Sequence, residues 1–263
     1  KQLLLRTQNP IAVRAAQEKQ SKEKSIAVLP FKLLGTEREY EFLSIGMADA
    51  MITRLSNVQN FVVRPTSSVA RYASGEIEPF GAGTELEVDY ILDGHLQTAG
   101  DRLRLSVQLL DINRRTTVWA RTFDEKFTHV FDIQDKISVK VSESLIPRLS
   151  GEERRELQKR GTDDIDAYEA FLRGRYHFNF ITPEHLARAN EYFEQAVRLD
   201  PNFAPAYSAM ADCYFCIGTF TNANPHESYE KIRKTAQRAI ELDPTLGAPL
   251  ALLEFMEMRK RFM

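Results

Sequence analysis

Residues 191–201 read EYFEQAVRLDP, and a related stretch, KTAQRAIELDP, follows 43 positions later at 234–244. Ala196, Leu199, Asp200 and Pro201 of the first copy match Ala239, Leu242, Asp243 and Pro244 of the second. Self-similarity on this scale marks stacked supersecondary units, each burying its apolar face on the next. The residue types say how. A small alanine lets paired helices approach closely, and proline cannot continue a helix interior, so Asp-Pro ends one helix and sets the turn. The chain from about residue 164 to 263 is therefore read as α-helical hairpins, a surface for binding other molecules.

These positions resemble the tetratricopeptide (TPR) family. Gly174, Ala189, Phe193, Ala196 and Pro201 occupy that family's small, small, aromatic, small and proline positions in order. Tyr207, Ala211 and Tyr214 fit the first helix of a second repeat, and Ala239 and Pro244 its second helix, although Ala236 stands where an aromatic is usual. Leu250 and Leu253 begin a third unit. Three extra residues lie between Gly174 and Ala189, and about nine between Ala211 and Ile232, around TNANPHES. Both insertions fall at turns, so the array survives with an irregular superhelix; an unrelated helical bundle is the alternative. The resemblance implies a TPR solenoid whose groove takes a protein or peptide. Tyr207, Met210 and Tyr214 belong either to its core or to that groove. Because the third unit breaks off, Leu250, Leu253, Phe255 and Met256 are expected to leave an apolar edge prone to self-association.

Upstream the periodicity changes. Residues 1–24 are polar with a weak apolar stripe (Leu4, Ile11, Val13, Ala16) and read as a linker. SIAVLPF, from Ser25, is a short apolar run ended by Pro30, as suits a buried strand. Ile45, Ala48, Ile52 and Leu55, with Met51, predict a helix over 39–56. FVVRPTSS, 61–68, predicts a second buried strand stopped by Pro65 and leading into a polar loop. Pro79, Gly81 and Gly83 predict a turn, followed by a short helix over 84–88 and a strand over 89–96. Leu103, Leu105, Val107 and Leu109 alternate with Arg102, Arg104, Ser106 and Gln108, the two-residue period of a sheet with one wet face. A strand with Trp119 follows at 117–123, completing an antiparallel meander. Val130, Ile133, Ile137, Val141 and Leu145 predict a covering helix. The expectation is one α/β domain over 25–149, a mixed sheet with a strand-helix-strand unit and a meander. Residues 150–163 (150–161 reading SGEERRELQKRG) then form a solvated connecting helix.

SIAVLPF, FLSIGMADAMITRLS, VRPTSSVARY, VDYILDGHLQTAGDRLRLSVQLLD and VWARTFDEKFTHVFDIQDKIS together resemble the TolB-like amino-terminal domain of bacterial regulatory proteins. In that family the domain is commonly followed by tetratricopeptide repeats opening with a stretch like AYEAFLRGRYHFNFITPEHLARANEYFEQA, present here at 167–196. The resemblance implies a winged-helix DNA-binding domain of the OmpR or CadC type upstream, often with one membrane span; other members carry a Ser/Thr kinase or nucleotide cyclase. None of these modules is in this sequence, which begins at Lys1 and is expected to be an excised piece. DNA and membrane are thus partners only through absent upstream segments. If a span precedes Lys1 the piece faces out of the cytoplasm; otherwise it is cytoplasmic.

Composition narrows function. The 263 residues carry 35 basic and 37 acidic side chains, without the positive excess that drives nonspecific phosphate binding. No apolar run approaches the eighteen or so residues of a membrane span. His95, His129, His177, His185 and His226 show no helical ligand spacing, and nucleophile-elbow, Walker and kinase signatures are missing. Gly81-Ala82-Gly83 is read as a turn, with anion cradling as the sharper reading. Asp124, Glu125, Asp132 and Asp135 are read as solvated caps against a carboxylate cluster, and Trp119, Phe123, Phe127 and Phe131 as core against an aromatic pocket. Cys213 and Cys216 are read as packing thiols, since two thiols are half a structural zinc site. No enzyme, cofactor or metal is expected. The favoured function is a sensory or scaffold module of a bacterial regulator. The alternatives are an envelope assembly module, the regulatory region of a kinase or cyclase, and a cryptic hydrolase or nucleotide site in the α/β half.

Overall fold

The structure is a computed structural model that describes residues 23–35, 40–56, 58, 61–74, 77–146, 150–151, 157, 161–221 and 223–261. Almost all of the expected linker lies outside the described residues. Its last residue, Lys24, already belongs to a strand.

One mixed sheet organises the amino-terminal half. Strand β1 (Lys24–Val28) pairs in parallel with β3 (Phe61–Val63) on one side and β4 (Tyr90–Ala99) on the other. The two-residue β2 (Lys32–Leu33) extends the β1 side of β4. β5 (Arg102–Asp111) and β6 (Thr116–Lys126) complete an antiparallel meander, giving the order β3-β1-β4-β5-β6. Ile26, Ala27 and Val28 are fully buried at the parallel centre, which is why this strand reads as a continuous apolar run. In the meander, Leu103, Leu105, Val107 and Leu109 are buried while the alternate positions form polar cross-strand pairs. Asp124 receives Arg102 and Arg104 together, and Ser106 Oγ lies 3.0 Å from Thr122 Oγ1.

The covering helices follow the apolar periods. Helix α1 (Glu41–Ser56) buries not one stripe but most of its circumference, including Phe42, Leu43, Met47, Met51 and Leu55. Packing both on the sheet and on a later helix explains this. FVVRPTSS departs from expectation: β3 ends at Val63, its side chains are only half-buried or exposed, and it forms the sheet edge. Pro65 then serves as the N-cap of helix α2 (Thr66–Val69), which runs into a 3-10 turn over Ala70–Ser74 where a polar loop was expected.

The glycine-rich segment is a second correction. Pro79 opens helix α3 (Pro79–Glu85), because its fixed φ and missing N–H suit the first helical turn. Gly81 and Gly83 lie inside this helix; of the short helix expected over 84–88, only Thr84 and Glu85 are helical, as its end. A Cβ on Gly83 would come within 2.5 Å of Ile112, so this glycine serves close packing, not a turn and not an anion cradle. Helix α4 (Val130–Leu145) buries Val130, Ile133, Ile137, Val141 and Leu145 as read, but also Gln134, Ser138 and Ser142.

From Ile165 onward the described residues are helical: α5 (Ile165–Phe178), α6 (Pro183–Leu199), α7 (Ala204–Phe220), α8 (Pro225–Leu242) and α9 (Gly247–Arg261). Each packs on the next, and α5 touches α7 as α7 touches α9. Asp164, Thr182 and Asn224 cap three of the starts by accepting backbone N–H groups. The chain turns at Pro201 and Pro244, one residue after the C-caps Asp200 and Asp243. Of the expected connecting helix only residues 150–151, 157 and 161–163 are described, and they are not simply solvated: Leu157 is fully buried.

Candidate functional site

The repeat-motif side chains form the spine of the helical half. Gly174, Ala189, Phe193, Ala196, Ala211, Ala236 and Ala239 are all buried. A Cβ on Gly174 would sit 2.5 Å from the Phe193 ring, so α5 and α6 meet at a distance only glycine permits. Phe193 joins Leu186, Ala189, Ala209, Met210 and Cys213 in one cluster, with Tyr207 and Tyr214 packed on its margin. At the second repeat Ala236 leaves the helix pair without that ring.

There the surface opens into a groove of about 840 Å³ between α7 and α8. Tyr207, Met210 and Tyr214 line it from α7, so they serve both core and groove. The α8 wall is charged but largely self-neutralised. Lys231 pairs with Glu227 at 2.7 Å, Arg233 with Glu230 at 3.0 Å and Arg238 with Glu241 at 3.5 Å. Lys234, also in the lining, makes no ion pair among the described residues. Lys231 lies 5.6 Å from the Tyr214 ring centroid, and the Tyr214 hydroxyl donates to Glu194 at 3.2 Å. Burial, then the Glu194 charge, push the Tyr214 hydroxyl up to about 12.

The first hairpin helix, α5, is tied to the sheet domain by a buried polar joint that no sequence period announced. Asp49 of α1 is 3% exposed and accepts Arg175 of α5 through two bonds, Nε at 2.7 Å and Nη2 at 2.6 Å. Thr66 donates to the same carboxylate. Nearby, Arg54 pairs with Asp135 and donates to the Leu157 carbonyl at 3.2 Å. Tyr168 of α5 donates to Gln134 of α4 at 2.8 Å, its ring 4.5 Å from that of Phe131. Full burial pushes its hydroxyl up to about 12. Behind Arg175, burial raises the Asp212 carboxyl above the usual carboxylate range, an effect the arginine opposes.

The remaining candidates separate. Asp124 and Asp135 are each ion-paired, so there is no carboxylate cluster around them. Phe123 and Phe131 are core, Trp119 packs against it, and the Phe127 side chain lies outside the described residues. Cys213 is buried and Cys216 half-buried, both as free thiols. The Cys213 Sγ donates to the Leu186 carbonyl at 3.3 Å, and burial raises its pKa to about 12. His177 and His185, scattered in sequence, meet across the α5–α6 turn with their Nδ1 atoms 3.0 Å apart. Sequence reading missed the joint and this pair, since neither follows a helical interval. Among the described residues no group of three or more His, Cys, Asp or Glu side chains is placed to hold a metal ion, and no helix is long and apolar enough to cross a membrane.

Residues 21–140 match the family described as "HilA/YgeH-like transcriptional regulator, second domain". "Putative adenylate cyclase 3" of Rhizobium meliloti is 26% identical over 221 residues, 83% of this chain and 38% of that protein. "Transcriptional regulator HilA" of Salmonella typhimurium is 31% identical over 91 residues, 35% of this chain and 16% of that protein. Among solved structures, TolB from Acinetobacter baumannii aligns at a TM-score of 0.35 and 12% identity, over 49% of this chain and 30% of that one. The chain thus spans well under half the length of these curated relatives. Its α/β unit is similar to the second domain of HilA/YgeH-like transcriptional regulators, which points to a regulatory or signalling role.

Proposed function

We propose that this chain is a non-enzymatic sensing module of a bacterial regulator, whose helical hairpins are tetratricopeptide repeats that bind a protein or peptide segment. The observation that carries the reading is the α7–α8 groove. It offers two aromatic rings and a thioether beside Lys234, a cation without an ion-pair partner among the described residues. Such a lining suits a segment that inserts an apolar side chain and presents a carboxylate. The joint at Asp49 and Arg175 connects the first hairpin helix, α5, to the regulator-like domain. An output module elsewhere in a longer protein would act on the signal.

The test is affinity capture by the chain and by Lys234→Glu, whose side chain is exposed, with circular dichroism checking that the variant folds. A partner retained by the parent, lost by the variant, and raising the parent's melting temperature supports the reading. Identical capture profiles, with no thermal shift from any captured protein, would defeat it.

A second reading, self-assembly, is favoured by α9, where Leu250, Phe255 and Met258 are 50%, 45% and 56% exposed. Leu253 and Met256, expected on the same edge, are half-buried. Light scattering that finds a monomer at all concentrations removes this reading.

A further inference from the structure

We propose that His177 and His185 form a two-imidazole chelate for one divalent transition-metal ion at the α5–α6 turn, a site separate from the groove. His177 lies in the last turn of α5 and His185 in the first turn of α6, and the turn between them brings their Nδ1 atoms to 3.0 Å. Two nitrogens at that spacing span an angle of about 95° at an ion held ~2.05 Å from each, close to what imidazole–metal bonds require. The ring centroids lie 5.1 Å apart, so the two Nδ1 atoms face each other nearly head-on, and each ring must swing to aim its lone pair at a shared ion.

The surroundings hold the rings in place. Tyr192 stacks on His177 with ring planes 7° apart and centroids at 5.6 Å, and Phe180 packs on His185 at 4.4 Å. Tyr176 closes the other edge of His177 at 5.2 Å and is anchored by its hydroxyl, which donates to Glu41 at 3.1 Å. Thr182 accepts the His185 backbone N–H, fixing the start of α6. The nearby cations are neutralised, Arg173 by Glu169 at 2.8 Å and Arg188 by Glu184 at 3.2 Å. The Nδ1···Nδ1 contact is a hydrogen bond in which one Nδ1 proton bridges the two rings. On chelation that ring takes its proton at Nε2, so both Nδ1 lone pairs face the ion and no net proton is released. Imidazole pairs suit copper, nickel and zinc, with copper(II) the tightest, and water completes the coordination shell.

The experiment titrates the purified chain with copper(II), reading stoichiometry by calorimetry and ligand nitrogens by electron paramagnetic resonance. The expected result is one ion per chain with coupling to two imidazole nitrogens. His177→Gln and His185→Gln should each weaken binding by roughly tenfold or more, whereas His226→Gln, at the start of α8, should leave it unchanged. Far-UV circular dichroism checks that the variants fold, and His185→Asn with zinc-induced thermal shift provides a second readout. Unchanged copper affinity in both His177→Gln and His185→Gln, or no stoichiometric binding by the parent chain, overturns the proposal.

Discussion

Arg175, in the first helix of the hairpin array, grips Asp49, in the first helix of the sheet domain, through two hydrogen bonds across 126 positions of sequence. Both side chains are largely withdrawn from water, at 19% and 4% exposure. Removing one partner strands a buried charge, so Arg175→Ala should cost ~3–5 kcal/mol. The double change Arg175→Met with Asp49→Leu should recover much of that loss, because an apolar pair of similar volume leaves no charge behind. Urea unfolding of the three proteins, followed by probes in each half of the chain and summed over the transitions seen, measures both values.

Gly174 faces the Phe193 ring where a Cβ would come within 2.5 Å. Gly174→Ala should destabilise the chain by ~1–3 kcal/mol through forced repacking. Adding Phe193→Leu should soften the penalty, since the smaller side chain gives the new methyl room. Non-additivity in a double-mutant cycle is the readout.

Tyr168 is the group through which alkaline pH should act. Its hydroxyl is raised from 10 to about 12 by burial. A raised acid stabilises the fold fully below its unfolded value and loses that contribution as pH climbs to the folded value. Stability should therefore fall between about pH 10 and 12, by on the order of 2–3 kcal/mol for a two-unit shift. Tyr168→Phe should flatten this dependence. At neutral pH it should cost ~1–3 kcal/mol, because the Gln134 amide is left buried without its partner. Tyr214, also raised to about 12, adds a smaller loss of the same sign.

Cys213 and Cys216 should differ in reactivity. Burial raises both thiols, but Cys213 is fully enclosed and bonded to the Leu186 carbonyl, whereas Cys216 is half-buried. The thiolate is the reactive form, so iodoacetamide under native conditions should label Cys216 first and Cys213 only on unfolding. Peptide mapping by mass spectrometry checks the order.

Local periodicity made the sheet and the hairpins legible. The alternation of Leu103 to Leu109 announced the meander, and the spacing of Gly174, Ala189, Phe193 and Ala196 announced close helix pairs. Where one residue has two opposite uses, legibility failed. Gly83 reads as a turn because glycine frees the backbone, yet here it serves contact with Ile112 within a helix. Pro65 was rightly read as ending a strand, but it also starts a helix. The extra apolar positions of α1 gave no clue to what covers its second face. Asp49, Arg175, His177 and His185 were invisible for a different reason: ion pairs and histidine contacts formed by tertiary packing leave no interval in the sequence. The groove was half legible, with Tyr207, Met210 and Tyr214 identified and the α8 wall missed, because Lys231, Lys234 and Arg238 look like any solvated helix face.

The regulator-like domain and the hairpin array are expected to fold as one cooperative body, through the apolar core that α5 shares with the sheet domain and the Asp49–Arg175 joint beside it. Differential scanning calorimetry tests it most directly. A single transition is expected, with calorimetric and van't Hoff enthalpies equal, splitting into two in Arg175→Ala. Two separate transitions in the unaltered chain, unmoved by that substitution, would contradict the account.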